Sequence, residues 1–257
     1  YVFQAAIEGA ATLACDSQLA DRWKRAMARL PQYPTTNTDP PIVVDVEDAP
    51  PTTYNIAVPA VPVFPGDVVT WWSPPAEKDL FARTIEGLKW NGNNSAIILP
   101  VARARLSMPG TADYLRQTLL ARLRPNGTLT LNVLGSRFND LGHYTEQFAA
   151  SMAVSELLLQ SVGDVIRLFP AWPADRDAAF RDLRAQGGFL VSAEQNGGRT
   201  IALTVTSTAG GPLRLLSPWK TIGLQCASGE PEPLACDARG IVRVETQPGT
   251  RLIFVSR

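Results

Sequence analysis

Residues 188–207 read GFLVSAEQNGGRTIALTVTS. Apolar residues recur every second position on both sides of Asn196-Gly197-Gly198. A period of two is the signature of a strand with one buried face, and Asn-Gly-Gly tolerates the positive φ angles of a tight turn. The stretch predicts a β-hairpin. Further strand-like runs follow at short spacing, LRLLSPW (213–219), IVRVET (241–246) and TRLIFVS (250–256), separated by Gly and Pro. Together they predict a small antiparallel β-sandwich from about residue 186 onward.

Upstream of that point the periodicity is helical. Residues 1–30 predict two helices, the first ending near Cys15. Asp16 or Ser17 stands where an N-cap belongs before SQLADRWKRAMARL, and Pro31 stops that helix. A proline-rich, irregular excursion occupies 31–74, interrupted by the short apolar run IVVDV. Loops of such length inside compact domains usually carry function or lack fixed structure. Helical patterns resume in PPAEKDLFARTIEGLKW, NSAIILPVARARL, TADYLRQTLLARL and 147–161, with Ser73 before Pro74 and Pro75 as a start signal. Pro100 kinks its helix or sits in the first turn. The expected helices form three antiparallel pairs: 1–14 with 17–30, 76–89 with 95–106, and 111–123 with 147–160. The fold class is therefore multi-domain, α then β.

Composition excludes several classes. Hydrophobic residues at 45% and charged residues at 19% allow a sizeable core. A formal net charge of zero without a Lys/Arg run gives no nucleic-acid footprint, and no apolar segment approaches the roughly 20 residues of a membrane span. One histidine and three cysteines without ligand spacing point away from metal and haem sites, so no cofactor is expected. Cys226 and Cys236 are read either as a small disulfide, which places the chain outside the cytosol, or as two free thiols. The opening YVFQAAIEGAATLAC is helical in pattern from its first residue, with no N-cap and no signal peptide, which leads to the expectation of preceding sequence.

Several segments, taken in order, resemble the C-terminal half of family 95 glycoside hydrolases, the α-L-fucosidase group. LACDSQLADRWKRAMARLPQYP resembles the helix pair before that family's active-site loop, and VFPGDVV its Tyr-Pro-Gly turn. FAASMAVSELLLQS is similar to its Phe-Gly-Gly…Ala-Glu-Met-Leu-Leu-Gln-Ser helix. VIRLFPAWPADRDAAFRDLRAQGGFLVSAEQ resembles its passage from barrel to sandwich, and GPLRLLSPW a strand of that sandwich. The resemblance implies half of an (α/α)6 toroid, three helical hairpins over 1–170, followed by a connecting helix and β-sandwich over 171–257. It also implies a partner: the rest of the toroid, in a missing N-terminal portion of the same protein.

The resemblance further implies inverting hydrolysis of a terminal α-linked sugar, of the α-L-fucoside or α-L-galactoside kind, by a secreted or periplasmic enzyme. Inversion needs two carboxyl groups about 6.5–9.5 Å apart, with a water between one of them and the sugar. The family's general acid and asparagines fall upstream of Tyr1. Its base lies in an Asp-Gly-Asn-Phe-Gly-Gly turn. Aligning Phe148 with that Phe puts Gln147, Glu146 and Thr145 at the Asn, Gly and Asp positions. Glu146 is thus the candidate base, one residue late but one methylene longer. His143, the only histidine, is the candidate for a proton or substrate contact, since imidazole titrates near neutrality.

Candidate substrate contacts are Thr145, Gln147, the amides of Asn91, Asn93 and Asn94, Tyr54, and the Trp71–Trp72 pair as a stacking plate. Each has a plainer reading: a polar helix start at 94–95 and 145, and core or rim packing for the tryptophans. Glu156, inside the apolar helix, reads as a structural residue bonding a neighbouring turn. The chain departs from the family in TYNIAVPAVPVFPG, which lacks histidine, and in Asn94-Ser95…Ile98-Leu99, where the family has a Trp-Ser…Trp-Lys start. A catalytically inactive carbohydrate-binding or scaffold protein of the same fold is the alternative reading.

Overall fold

In a computed structural model of the chain, the described residues are 1–51, 53, 54, 56–90, 92, 95–125, 127, 129, 144–226 and 229–257. For 54, 90 and 144–147 the backbone alone is described. Six described helices come first: α1 (Val2–Thr12), α2 (Ser17–Met27), α3 (Pro75–Gly87), α4 (Ser95–Arg105), α5 (Thr111–Leu120) and α6 (Tyr144–Leu158). Two short strands interrupt them, β1 (Thr53–Tyr54) and β2 (Lys89–Trp90). Ten strands follow, so the helix-then-strand order holds.

Helices α1 and α2 form a hairpin whose buried residues are Ala10 and Ala20. Asp16 occupies the N-cap position of α2 with φ 51° and makes no side-chain cap bond. The excursion 31–74 is packed rather than peripheral. Val43, Ala57, Ala60, Val63 and Val69 join Phe81, Ile85 and Leu99 in one core. The Thr84 hydroxyl accepts the Val43 N–H at 2.8 Å and donates to the Leu80 carbonyl, tying loop to α3. Proline explains the irregularity, since each one removes a donor and fixes φ. Pro75 opens α3 in its first turn, while Pro100 lies buried inside α4. Helix α4 packs on α5 and more extensively on α6, through Ile97, Val101, Ala104, Leu115, Ala153 and Leu157. Helices α3 and α4, and α5 and α6, also touch, less extensively.

The sandwich starts earlier than residue 171. Leu159–Val162 and Val165–Leu168 are strands β3 and β4, following α6 directly around a turn at Gly163-Asp164. The expected connecting helix is instead strand β5 (Ala178–Ala185), paired antiparallel with β6 (Phe189–Asn196). A bulge between Phe180 and Leu183, with Asp182 at φ 52°, lets both side chains turn to the core despite a spacing of three. That spacing is what gives the segment a helical look.

Strand β7 (Arg199–Ser207) completes the hairpin read from sequence, with Gly197 and Gly198 at positive φ between Asn196 and Arg199. The remaining strands are β8 (Gly211–Leu216), β9 (Ile222–Leu224), β10 (Glu232–Leu234), β11 (Ile241–Thr246) and β12 (Arg251–Ser256). They form a six-stranded sheet, β10-β9-β12-β7-β6-β5, and a four-stranded sheet, β11-β8-β4-β3. The second sheet is mixed, because β4 and β8 run parallel. Three strands of the opposite sheet pass between them in sequence, the long crossover that parallel pairing needs. Phe180, Phe189, Val191, Leu203, Leu215 and Phe254 fill the space between the sheets.

The β9–β10 register decides between the two readings of Cys226 and Cys236. Leu224 pairs with Glu232 and Ile222 with Leu234, so the two cysteines extend from opposite ends of the ladder. Each cysteine lies two residues beyond its own end of the three-pair ladder, so the two are carried away from each other, whereas bridged cysteines have Cα atoms within about 7 Å. Cys15, Cys226 and Cys236 are all free thiols.

Candidate functional site

Two helices set the geometry of the candidate site. The Arg105 guanidinium, at the C-terminal end of α4, meets Glu156, near the C-terminal end of α6. Helices that pack along their length and meet at like ends run in the same direction. Ten residues back along each, about 15 Å at 1.5 Å per residue, the backbones at Ser95 and Glu146 come to the other end. The start of α4 and the first turn of α6, with the backbones of Thr145, Glu146 and Gln147, therefore lie at one end of this helix pair. Strand β1 pairs parallel with β2, putting the Tyr54 backbone opposite Trp90, the residue before Asn91. His143, Asn91, Asn93 and Asn94 themselves lie outside the described residues.

Trp71 and Trp72 lie elsewhere. Their rings stack on each other at 4.8 Å with 20° between planes. The Arg167 guanidinium lies 4.4 Å from the Trp71 ring centroid, while Arg239 and Arg214 lie over Trp72 at 5.4 and 6.0 Å. The pair is wedged where helices meet sandwich: Arg167 belongs to β4, Arg214 to β8, and a Cβ on Gly163 would come within 2.9 Å of Trp72. Lys78 donates to the Trp71 carbonyl and Arg167 to the Ser107 hydroxyl just past α4. This is the opposite end of α4 from Ser95. Trp71, held between a second indole and a cation, has no face left for a sugar ring. Packing between layers, the plainer reading of this pair, accounts for it.

Glu156 is partly buried in the same seam, its side chain 15% exposed, and sequence reading missed its network. The turn Phe64-Pro65-Gly66-Asp67 brings a carboxylate to Arg105; a side chain at Gly66 would strike the Val61 carbonyl oxygen, at 2.6 Å from its Cβ. Arg105 donates from Nη1 to Asp67 at 3.1 Å and from Nη2 to Glu156 at 2.9 Å. Its Nε approaches the second Glu156 oxygen at 2.8 Å, without the angle of a hydrogen bond. Burial pushes the Glu156 carboxyl up from its ordinary range, more than the Arg105 charge pulls it down. Asp67 moves the same way for the same two reasons. Burial, and then repulsion from Arg105, lower Arg167 to about 10. Arg167 also donates to Gln160 at 3.2 Å. Only the tight Pro-Gly-Asp turn announced Asp67 in sequence; the partners of Arg105 and Arg167 are long-range and left no local signal.

Beside this network a cleft of about 360 Å³ opens between α6 and β5. Arg105, Ser155, Glu156, Ser161, Arg184 and Gln186 are among the residues that line it. Among the described residues no group of three His, Cys, Asp or Glu side chains is placed to hold a metal ion, and no helix is long and apolar enough to cross a membrane. In comparisons with known proteins, no family model matches the chain, and no curated protein matches it.

Proposed function

We propose that this chain is part of an inverting glycoside hydrolase, secreted or periplasmic, that removes a terminal α-linked sugar of the α-L-fucoside or α-L-galactoside kind. In this reading α1 to α6 are an arc of an (α/α)6 toroid. The exposed apolar side chains of the first hairpin, Val2, Leu13 and Leu30 among them, pack against further hairpins of the same protein, which supply the general acid. Glu146 activates the water and His143 contacts the substrate. The observation that carries the reading is that the first turn of α6, with Glu146, and the start of α4 lie at the same end of a parallel helix pair. Helices followed by a β-sandwich, in the order the resemblance implies, support it.

The test is turnover of aryl α-L-fucosides and α-L-galactosides by the full-length protein beside its Glu146→Gln variant. Loss of a general base lowers kcat by about 10²–10⁴-fold while the fold is retained. Equal turnover in the two proteins removes Glu146 from the mechanism.

A second reading, a carbohydrate-binding protein without hydrolysis, is favoured by Thr145 at the matched aspartate position and by the absence of histidine from 53–66. Glycan-array binding with no monosaccharide released distinguishes it from the first.

A further inference from the structure

The tip of the β6–β7 hairpin carries a dipeptide with chemistry of its own, Asn196-Gly197. Glycine has no side chain to shield its backbone nitrogen. Once deprotonated, that nitrogen attacks the side-chain amide carbon of the preceding asparagine. The new C–N bond closes a succinimide ring, the C–NH2 bond breaks, and ammonia leaves with the proton. Water then opens the ring to aspartate or isoaspartate. The only co-reactant is water, and Asn196 and Gly197 are both exposed to it.

The fold restrains both reacting groups. Asp177, the residue before β5, accepts the Gly197 N–H on Oδ1 at 3.0 Å and the Asn196 side-chain amide on Oδ2 at 3.2 Å. Nucleophile and leaving group are thus tied to the two oxygens of one carboxylate. A negative charge at that distance opposes the amide anion through which attack proceeds. The hydrogen bond to a charged acceptor, worth about 1.5–3 kcal/mol, must also be given up first.

The position of Asp177 is itself set by close packing. The turn lies directly on segment 173–177. A Cβ at Gly198 would come within 2.9 Å of the Ala174 Cβ and 3.0 Å of its carbonyl oxygen, so glycine is required there. Gln195, buried beside the turn, donates its side-chain amide to the Pro173 and Arg176 carbonyls at 3.2 and 3.3 Å. The Trp172 indole N–H donates to the same Arg176 carbonyl, and the Arg176 side chain reaches Asp113 of α5 at 2.8 Å. The hairpin tip therefore belongs to a joint between sandwich and helices.

We propose that Asn196-Gly197 is a latent site of spontaneous deamidation, latched by Asp177, and that conversion of Asn196 to a carboxylate loosens the turn from segment 173–177. The product sets a second carboxylate where an amide donor met Asp177, so a hydrogen bond becomes a like-charge contact. Arg199, opposite Asn196 across the turn, offsets part of that repulsion. The proposal involves neither Glu146 nor a sugar and stands apart from both readings above.

The test is incubation of the intact chain in mildly alkaline buffer, with aspartate and isoaspartate at position 196 followed by peptide mass spectrometry. Asp177→Ala raises the rate at Asn196 by at least about tenfold, the factor that corresponds to losing one bond to a charged acceptor. The other two Asn-Gly steps, Asn91-Gly92 and Asn126-Gly127, are internal references and keep their rates. Asn196→Asp lowers the melting temperature, and adding Asp177→Asn to it recovers most of the loss. The proposal is overturned by any of three results: an unchanged rate at Asn196 in Asp177→Ala, an acceleration shared equally by the two reference steps, or an Asn196→Asp variant that melts with the wild type.

Discussion

Glu156 carries a carboxyl into the seam between helices and strands, where it is largely withdrawn from water. Arg105 compensates, but burial outweighs the attraction and the folded pKa sits above the ordinary 4.5. A group of this kind adds stability that is fully present below the unfolded pKa and is lost as pH rises through the folded value. The contrast is with Glu156→Gln, which keeps the shape and cannot ionise. In urea unfolding, wild-type stability relative to Glu156→Gln falls as the pH rises above the ordinary carboxyl value of about 4.5. A difference that stays flat, or grows toward neutrality, means that Arg105 holds the carboxylate more strongly than burial opposes it. A residue-by-residue reading assigns Glu156 a structural bond, and that much holds. Its partner Arg105 is 51 positions away in sequence, and Asp67, the carboxylate that shares Arg105, is 89 away, which no periodicity registers.

Strands β5 and β6 show what local pattern does and does not reveal. The hairpin of β6 and β7 was legible because every signal agrees: apolar residues every second position and two glycines at the turn. Strand β5 was hidden by its bulge, which spaces Phe180 and Leu183 as a helix would. Strand β3 was hidden because Leu157, Leu158 and Leu159 run unbroken from helix into strand. The bulge gives a clear expectation. Phe180 faces Ala193 and Leu183 faces Val191, so two residues, 181 and 182, oppose the single Ser192. Deleting Asp182 leaves a regular strand with both apolar side chains still inward, at a cost under about 1 kcal/mol. Deleting Ser192 instead turns part of β6 out of the core, at a cost of about 2–4 kcal/mol, the loss typical of removing a large buried side chain. Thermal or urea melting of the two deletions gives the comparison.

At the scale of the molecule, the boundary read from sequence at residue 171 cuts through a sheet. Strands β3 and β4 lie on its upstream side, yet Leu159, Ile166 and Phe169 belong to the sandwich core. A fragment of residues 171–257 leaves β8 with β11 alone and half of one sheet gone. It should lack a cooperative unfolding transition and dispersed amide resonances. A fragment beginning at Leu159 contains every strand of both sheets and should show both. If 171–257 folds as well as the longer piece, β3 and β4 are ornament rather than frame.

The absence of any spacer between α6 and β3 governs how the molecule can move. The chain passes from the last helical turn into the sheet in one step, and Trp71, Trp72 and Arg167 clamp the same junction from the side. Such a joint is a weld. The two layers cannot swing apart like jaws, and whatever either one holds is carried with the other as a single piece.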